Sequence, residues 1–546
     1  MTTIQPTTNT PFTSRELPLG ESETLLRFRA ERSRDAASLG GPAPESPAEW
    51  AAAARERTCD PARRARAVAA LKPHWAGLDL PEAAQRSVEL LENPETRIVI
   101  AGQQPALWGG PLMLAVKALA AVKTAELLTQ AGVPAVPLFW IASEDHDVSE
   151  LWGGEVVSAS GASVPLIAPF PKGRRMIDRL TFEHTAETRF AAISPLLEGA
   201  SPAVTALFRS SLAEAPADEF QRLFVTLFGS RGLLPVRPEW LRTLARPWIE
   251  AELSAPGEHA ALVRQGIEQL ATRGLPVPIP TPSELPFFWI DDDGARHRLT
   301  VTGDSVQIGG KNGPVRAVED LKRELVTDPT RVSPDALLRP IIQDVLLEPA
   351  CTILGPTELA YQWELGEVYR ARGIQRPVLV PRPRVRVIAA EDAALLESHS
   401  IDLASLTPSA TAVDLVASPE AEKRAKALAH ASEPFVQLIE EWSKDDSLDA
   451  ALRKRTDRLG RRLREDIEKL AAVLPRGAGS DVEAARREIE AVLTRIFPGG
   501  KEGERALALL GFLARHGLAG LDTLAEEITP GDGTMRVVLL DTPTGS

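Results

Sequence analysis

Four consecutive residues, Glu144-Asp145-His146-Asp147, set three carboxylates beside one imidazole at the end of an apolar run, Ala135-Val-Pro-Leu-Phe-Trp-Ile-Ala142. A histidine whose ordinary pKa lies near working pH suits proton exchange with an amine or a hydroxyl. Histidine and carboxylates also bind divalent ions, but neighbours at a strand end point in different directions and four in a row rarely serve one ion. No metal site is expected. A competing reading makes Asp145 or Asp147 an N-cap that holds free amides of a following helix. The favoured reading is mixed: one or two of the carboxylates cap and orient, while Asp145 or His146 faces a ligand, with Glu144 and Asp147 alongside.

A second cluster lies upstream. Arg97-Ile-Val-Ile-Ala101 empties into Gly102-Gln103-Gln104-Pro105 and then Gly109-Gly110-Pro111. Glycine permits close backbone approach, and Gln103 and Gln104 supply amides. A helix starting near Leu112 would turn its free N–H groups and positive end toward a phosphate or carboxylate. The glycines could instead only make a tight turn. Two glutamines at a strand end favour ligand binding by Gly102, Gln103, Gly109 and Gly110, with Gln104 joining Asp145 and His146 as a catalytic candidate. Lys117 lies in the following helix and reads, from sequence alone, as a solvated lysine on its outer face.

What must position these groups is a strand–helix–strand unit, Arg97–Ala101, Leu112 to about Gln130 and Ala135–Ala142. Its chemistry sits at the strand ends, where open α/β sheets bind ligands. The pattern returns later. Leu338–Leu347 is apolar, Ala350–Leu354 is a strand candidate, and Gly355-Pro-Thr-Glu358 opens a helix to about Arg372. Pro377–Pro381 is the next strand and ends at Arg382-Pro-Arg384. Arg339, Gln343 and Asp344 read as one face near the site, although Arg339 could equally be a structural ion pair. Thr357 or Glu358 would cap the helix or hold a ribose, with Gly355 at the turn. Arg382 and Arg384 bring positive charge to a strand end, where it could neutralise charge developing on a phosphate. Surface solvation competes for Arg384 and prevails for Arg386. Cys351, inside an apolar strand, reads as a small buried hydrophobe.

A chain of 546 residues exceeds one core and should divide. The expected plan has an N-terminal tail and helices over 1–95, then a core over 96–390 interrupted at about 153–232 and 240–335. A helical domain over 391–530 and a strand or tail over 531–546 follow. The first interruption, from Gly153 to Phe182, reads as β-rich. In the second, Phe287–Ile290, Asp291-Asp-Asp-Gly294 and Arg296–Val301 suggest a hairpin. Ser418-Pro419 starts a helix, and Ser480 with Glu483 forms a capping box. Leu452, Leu459, Leu463, Leu470 and Val473 make a heptad seam, interrupted by Asp466, that should pair with another helix of this chain or of a second copy. Neither internal repeats nor a GxxxxGK[ST] pattern is present, which disfavours a P-loop mechanism.

A formal charge of −13 argues against nucleic acid as the main partner, because phosphate binding needs a basic face. The polar N-terminus lacks a signal-peptide pattern, no apolar run reaches about 18 residues, and there are only two cysteines, Cys59 and Cys351. A cytoplasmic protein with no membrane partner is expected.

Taken together the motifs resemble the bacillithiol biosynthesis cysteine-adding enzyme family. The residues that carry the likeness are Ala101-Gly-Gln-Gln104 with Gly109-Gly-Pro111 and Lys117, and Phe139-Trp-Ile-Ala-Ser-Glu-Asp-His-Asp147. Leu338-Arg-Pro-Ile-Ile-Gln-Asp344, Gly355-Pro-Thr-Glu-Leu-Ala-Tyr361 and Val380-Pro-Arg382 add to it. The resemblance implies an α/β fold, with a Rossmann-like nucleotidylyltransferase-type core, connecting insertions and a C-terminal α-helical coiled-coil domain that forms a homodimer. It implies the joining of L-cysteine to glucosaminyl-malate, and it makes Lys117 an anion contact. Amide formation from a free carboxylate needs activation, so ATP is inferred, with Mg accompanying it; the fold analogy behind this is associational. The rivals are nucleotidylyl or acyl transfer to another amino sugar, and a dimeric scaffold that binds without turnover.

Overall fold

The computed structural model describes residues 15–17, 46–157, 162–167, 170–403, 406–416, 419–473, 480–531 and 535–541. The chain forms two compact units, one of residues 1–158, 163–389 and 503–546, the other of 159–162 and 390–502.

The first unit is built on a wholly parallel sheet of β1 (Arg97–Gln103), β2 (Ala135–Ile141), β3 (Leu234–Val236), β4 (Cys351–Leu354) and β5 (Val378–Pro381), in the order β5-β4-β1-β2-β3. Consecutive buried residues Ile98 to Ala101 allow β1 to lie centrally with both faces covered. The chain leaves β1 toward β2 and β3 on one side and returns on the other with β4 and β5. The strand order therefore reverses between β1 and β4, and ligands bind outside the carboxyl ends at such a point. The helix α1 (Leu112–Gln130) connects β1 to β2, α2 (Leu338–Leu347) precedes β4, and α3 (Pro356–Glu364) follows it.

Between β2 and β3, and again between β3 and α2, the chain runs through long segments outside the parallel sheet. Of the β-rich lobe over 153–182, the described residues keep one short antiparallel pair, Glu155–Val157 with Ser163–Pro165, and three helices follow it from Ala186 to Phe228. Pro165 and Pro171 remove donors a longer ladder would need. Among the described residues the second insertion holds three α-helices and a five-stranded antiparallel sheet. At its centre Phe287–Ile290 pairs with Arg296–Thr302, the expected hairpin. Asp291 accepts from the N–H groups of Asp293 and Ala295, and Gly294 takes a φ of +77° at the turn.

The C-terminal half needs correction. The helix Leu509–Glu527 belongs to the first unit, because Leu509, Leu510, Phe512 and Leu513 share a core with α1 residues such as Leu112 and Leu119. Met535–Leu540 runs parallel to Arg384–Ala389, and Arg15–Leu17 adds an antiparallel edge. Arg386, on the Arg384–Ala389 strand at the other edge of this sheet, is buried rather than solvated. The frayed tail expected over residues 1 to about 15 lies outside the described residues except for Arg15, which begins that antiparallel edge.

In the second unit α4 (Pro419–Ser443) and α5 (Ala450–Val473) form a helical hairpin. Gly460 packs against Ile439, and Arg464 pairs with Glu440 at 2.7 Å. This inner face is shifted by about one residue from the expected seam, leaving Leu452, Leu459 and Leu470 45%, 55% and 52% exposed. Among the described residues Asp466 forms only an exposed pair with Arg462 of its own helix, at 4.0 Å. Ser418 and the side chain of Ser480 lie outside the described residues. Among those residues no helix is long and apolar enough to cross a membrane.

Candidate active site

At the reversal point the first unit opens into a cavity of about 600 Å³, within the range of small-molecule sites. Its walls come from the ends of β1, β2 and β4, the first turns of α2 and α3, and the antiparallel sheet of the second insertion.

Lys117 braces the floor. It is 2% exposed, not the solvated lysine that its sequence context suggests. Its Nζ donates to Gly102 O (3.0 Å), Gln103 Oε1 (2.8 Å) and the Glu358 carboxylate (2.5 Å). Burial pulls its pKa down, and Glu358 opposes that pull. Glu358 also accepts the Gly355 N–H at 2.8 Å, closing the first turn of α3. One buried ion pair thus ties β1, α1 and α3 together across the reversal point. Gly102, Gly355, Thr357 and Glu358 all border the cavity.

The expected helix-end site is in a different place. The start of α1 is closed off: Leu112 N donates to Leu507 O, and Leu509 N to Gly110 O. Gly109 and Gly110 do not border the cavity. They take φ values of +85° and +74°, and a Cβ on either would stand 2.6 Å from a Leu509 methyl or 2.7 Å from the Ala106 Cβ. Their role is the tight turn and close packing. The first turn of α3 is the helix start that opens into the cavity.

At the end of β2, Gln104 Nε2 donates to Asp145 Oδ2 at 2.8 Å. Asp145 Oδ1 accepts the N–H groups of His146 (2.7 Å) and Asp147 (3.3 Å) and Arg296 Nη1 (3.5 Å). Burial works to raise the Asp145 pKa, but Arg296, Gln104 and those amides prevail and hold it below its ordinary value. His146 borders the cavity, and burial, seconded by Arg296, lowers its pKa. The sequence thus brought Gln104, Asp145 and His146 to one place. Glu144 is buried in an ion pair with Arg242, at the cavity wall. Asp147 is exposed, caps the following turn by accepting the Ser149 N–H at 3.0 Å, and does not border the cavity.

Arg339 and Gln343 border the cavity, whereas Asp344 does not. Asp344, on the side of α2 away from the cavity, is buried and hydrogen-bonded by the Tyr369 hydroxyl, and burial pushes its pKa up to about 6. Among the described residues no carboxylate lies within ion-pair distance of Arg339, so the alternative of a structural ion pair is not met. Its charge is near enough to Lys117 and Arg296 to act on both. Arg382 also borders the cavity, yet Nη1 and Nη2 are occupied by Glu504 at 2.9 and 2.7 Å, and Glu504 accepts the Val385 N–H as well. Arg382 is an anchor for the wall, with both its terminal nitrogens already spoken for. Cys351 is fully buried, as expected.

Sequence reading missed the wall supplied by the second insertion: Phe288, Arg296, Arg298 and Asp335. Arg296 lies over the Phe288 ring (4.0 Å to its centroid) and donates to Ser333 Oγ and Pro334 O. Arginines two apart on a strand share a face, and that spacing was the available signal. Among the described residues no group of three or more His, Cys, Asp and Glu side chains is gathered to hold a metal ion.

A family model described as "Bacillithiol biosynthesis BshC, N-terminal Rossmann-like domain" matches residues 16–383. The chain belongs to this family. Proteins named "Putative cysteine ligase BshC" are similar over most of their length. That of Koribacter versatilis is 29% identical, covering 78% of this chain and 81% of its own. The Symbiobacterium thermophilum relative is 27% identical over 86% and 88%, and one from Thermus thermophilus is 29% identical over 86% and 93%. The resemblance read from the motifs is borne out, and with it a Rossmann-like α/β enzyme of bacillithiol biosynthesis.

Proposed function

We propose that this chain joins L-cysteine to glucosaminyl-malate in an ATP-dependent ligation. The observation that carries this reading is the cavity itself: Arg339, without a carboxylate partner, and the open first turn of α3 face Gln104, Asp145 and His146 across one space. The cysteine carboxylate attacks the α-phosphorus of ATP, pyrophosphate leaves, and the glucosamine nitrogen then attacks the acyl carbon. AMP departs with the C–O bond electrons and the amine loses a proton. Arg339 and the Thr357 N–H in the first turn of α3 suit the anionic groups, with Gln103 and Gln343 as neutral contacts. Magnesium would come with the nucleotide, which holds it through its own phosphates.

The enzyme acts in the cytoplasm as a homodimer. Phe435, Leu438 and Trp442 of α4 are exposed like Leu452, Leu459 and Leu470 of α5. In an antiparallel pair both sets precede the inner-face residues by one position, which puts them on the same side. A joined apolar strip of this kind marks an interaction surface.

Deleting the gene should abolish bacillithiol and leave glucosaminyl-malate to accumulate. An unchanged thiol pool, in a strain with no other cysteine-adding enzyme, would overturn the assignment.

A further inference from the structure

Arg296 reaches the site from the second insertion, and its Nη1 lies 3.3 Å from His146 Nδ1. A guanidinium has hydrogens to give and no lone pair to accept with. The only hydrogen bond this contact permits has Nδ1 as acceptor, so Nδ1 is bare. Asp145 Oδ1, 3.5 Å from the same nitrogen, could reward the opposite tautomer. That oxygen already accepts two backbone N–H groups and Arg296 itself. Arg296 cannot easily turn away, since Ser333 Oγ takes its Nε–H at 2.8 Å and Pro334 O its Nη2–H at 3.0 Å. With Nδ1 bare, the proton of a neutral ring sits on Nε2, the far edge, which has no hydrogen-bond partner among the described residues. The charged groups acting on the ring are Arg296, Asp145, Asp147 and Arg174. Burial and Arg296 both disfavour the imidazolium.

We infer that Arg296 is a positioning residue that fixes His146 with its proton on Nε2, making His146 a hydrogen-bond donor to an oxygen gaining negative charge rather than a base. This replaces the base role suggested by residue type. The oxygen belongs to a carboxyl or a phosphoryl group; no proton leaves the ring. The donor role rests on the ligation reading above, whereas the tautomer does not.

The test starts with the tautomer. Long-range proton–nitrogen NMR of histidine-labelled enzyme, assigned with His146→Gln, should show a bare Nδ1 and a protonated Nε2 at pH 7.5. Arg296→Met should lose that preference. A protonated Nδ1 in the wild type would overturn the inference whatever the enzyme's activity. Adding ATP or L-cysteine singly should move the Nε2 signal, and the ligand that does so identifies the oxygen. If neither does while product still forms, the donor role is wrong. In turnover, His146→Gln places an amide N–H near the Nε2 position and should keep activity within about tenfold. His146→Asn and His146→Ala should lose about 100-fold or more, the usual effect of removing an oxyanion donor. A base would give the reverse signature: glutamine as poor as alanine, with activity falling as acid protonates the ring. Absence of product in the wild type would sink the ligation reading and leave the tautomer result standing.

Discussion

Glu504→Gln removes the negative end of the most deeply enclosed ion pair bordering the site. The Arg382 and Glu504 side chains are 2% and 1% exposed. Two charge-assisted bonds to Arg382 and one from Val385 N–H converge on this carboxylate. Removing one partner of a buried pair typically costs about 3–5 kcal/mol, because the remaining charge is left uncompensated in a poor dielectric. Glutamine keeps one acceptor, so the lower end, about 3 kcal/mol, is expected. Urea unfolding followed by tryptophan fluorescence would measure it, since only Trp442 lies outside the first unit. Arg382→Leu combined with Glu504→Leu removes both charges and should recover part of the loss. Burial raises the Glu504 pKa, but Arg382 outweighs it and the net shift is downward from 4.5. The contribution is therefore fully present above pH 4.5 and lost as pH falls through the folded-state value, so the deficit of Glu504→Gln should shrink in acid. A single variant within about 1 kcal/mol of wild type, or a double variant worse than either single one, would refute this account of the wall.

Gln104→Ala and Asp145→Asn should each lower turnover about 100-fold while the melting temperature stays within a few degrees; a large drop in melting temperature would make them structural. Gly109→Ala should destabilise by about 1–3 kcal/mol, from positive φ and the crowded Leu509 methyl, and leave the KM of the folded enzyme unchanged. Arg339→Met should raise the KM for an anionic substrate at least about tenfold with little change in stability, the loss of one charge-assisted contact. Leu459→Glu with Leu470→Glu should convert a dimer to a monomer in light scattering; a wild type already monomeric at micromolar concentration removes the interface.

The parts of this fold most legible in the sequence were those written in continuous apolar runs. β1, α1, β2 and the hairpin at Asp291–Gly294 stand where periodicity and turn residues put them. The same periodicity could not tell which core the helix Leu509–Glu527 joins, since an apolar face does not name its partner. Nor could it tell that the buried side of α5 runs through Gly460. At the site, Gln104, Asp145 and His146 were legible because strand ends in an open parallel sheet converge. Gly109 and Gly110 were misread because glycine's freedom serves a crowded turn as readily as a ligand. Lys117 and Arg386 were placed in solvent because charge argues for exposure, and only the fold reveals Glu358 beneath the lysine. Arg296 was missed as a site residue because it arrives from an insertion 150 residues away in sequence, and two arginines on one strand face do not name the site they join.

The ligation we propose joins cysteine to an amine in this cavity at the expense of ATP, and turnover tests it directly. Purified protein, L-cysteine, glucosaminyl-malate and MgATP should yield the cysteinyl conjugate by mass spectrometry, with one AMP formed per product. No conjugate formed under conditions where the protein binds the amino sugar would contradict the claim, and conjugate formed without nucleotide would contradict the adenylate route.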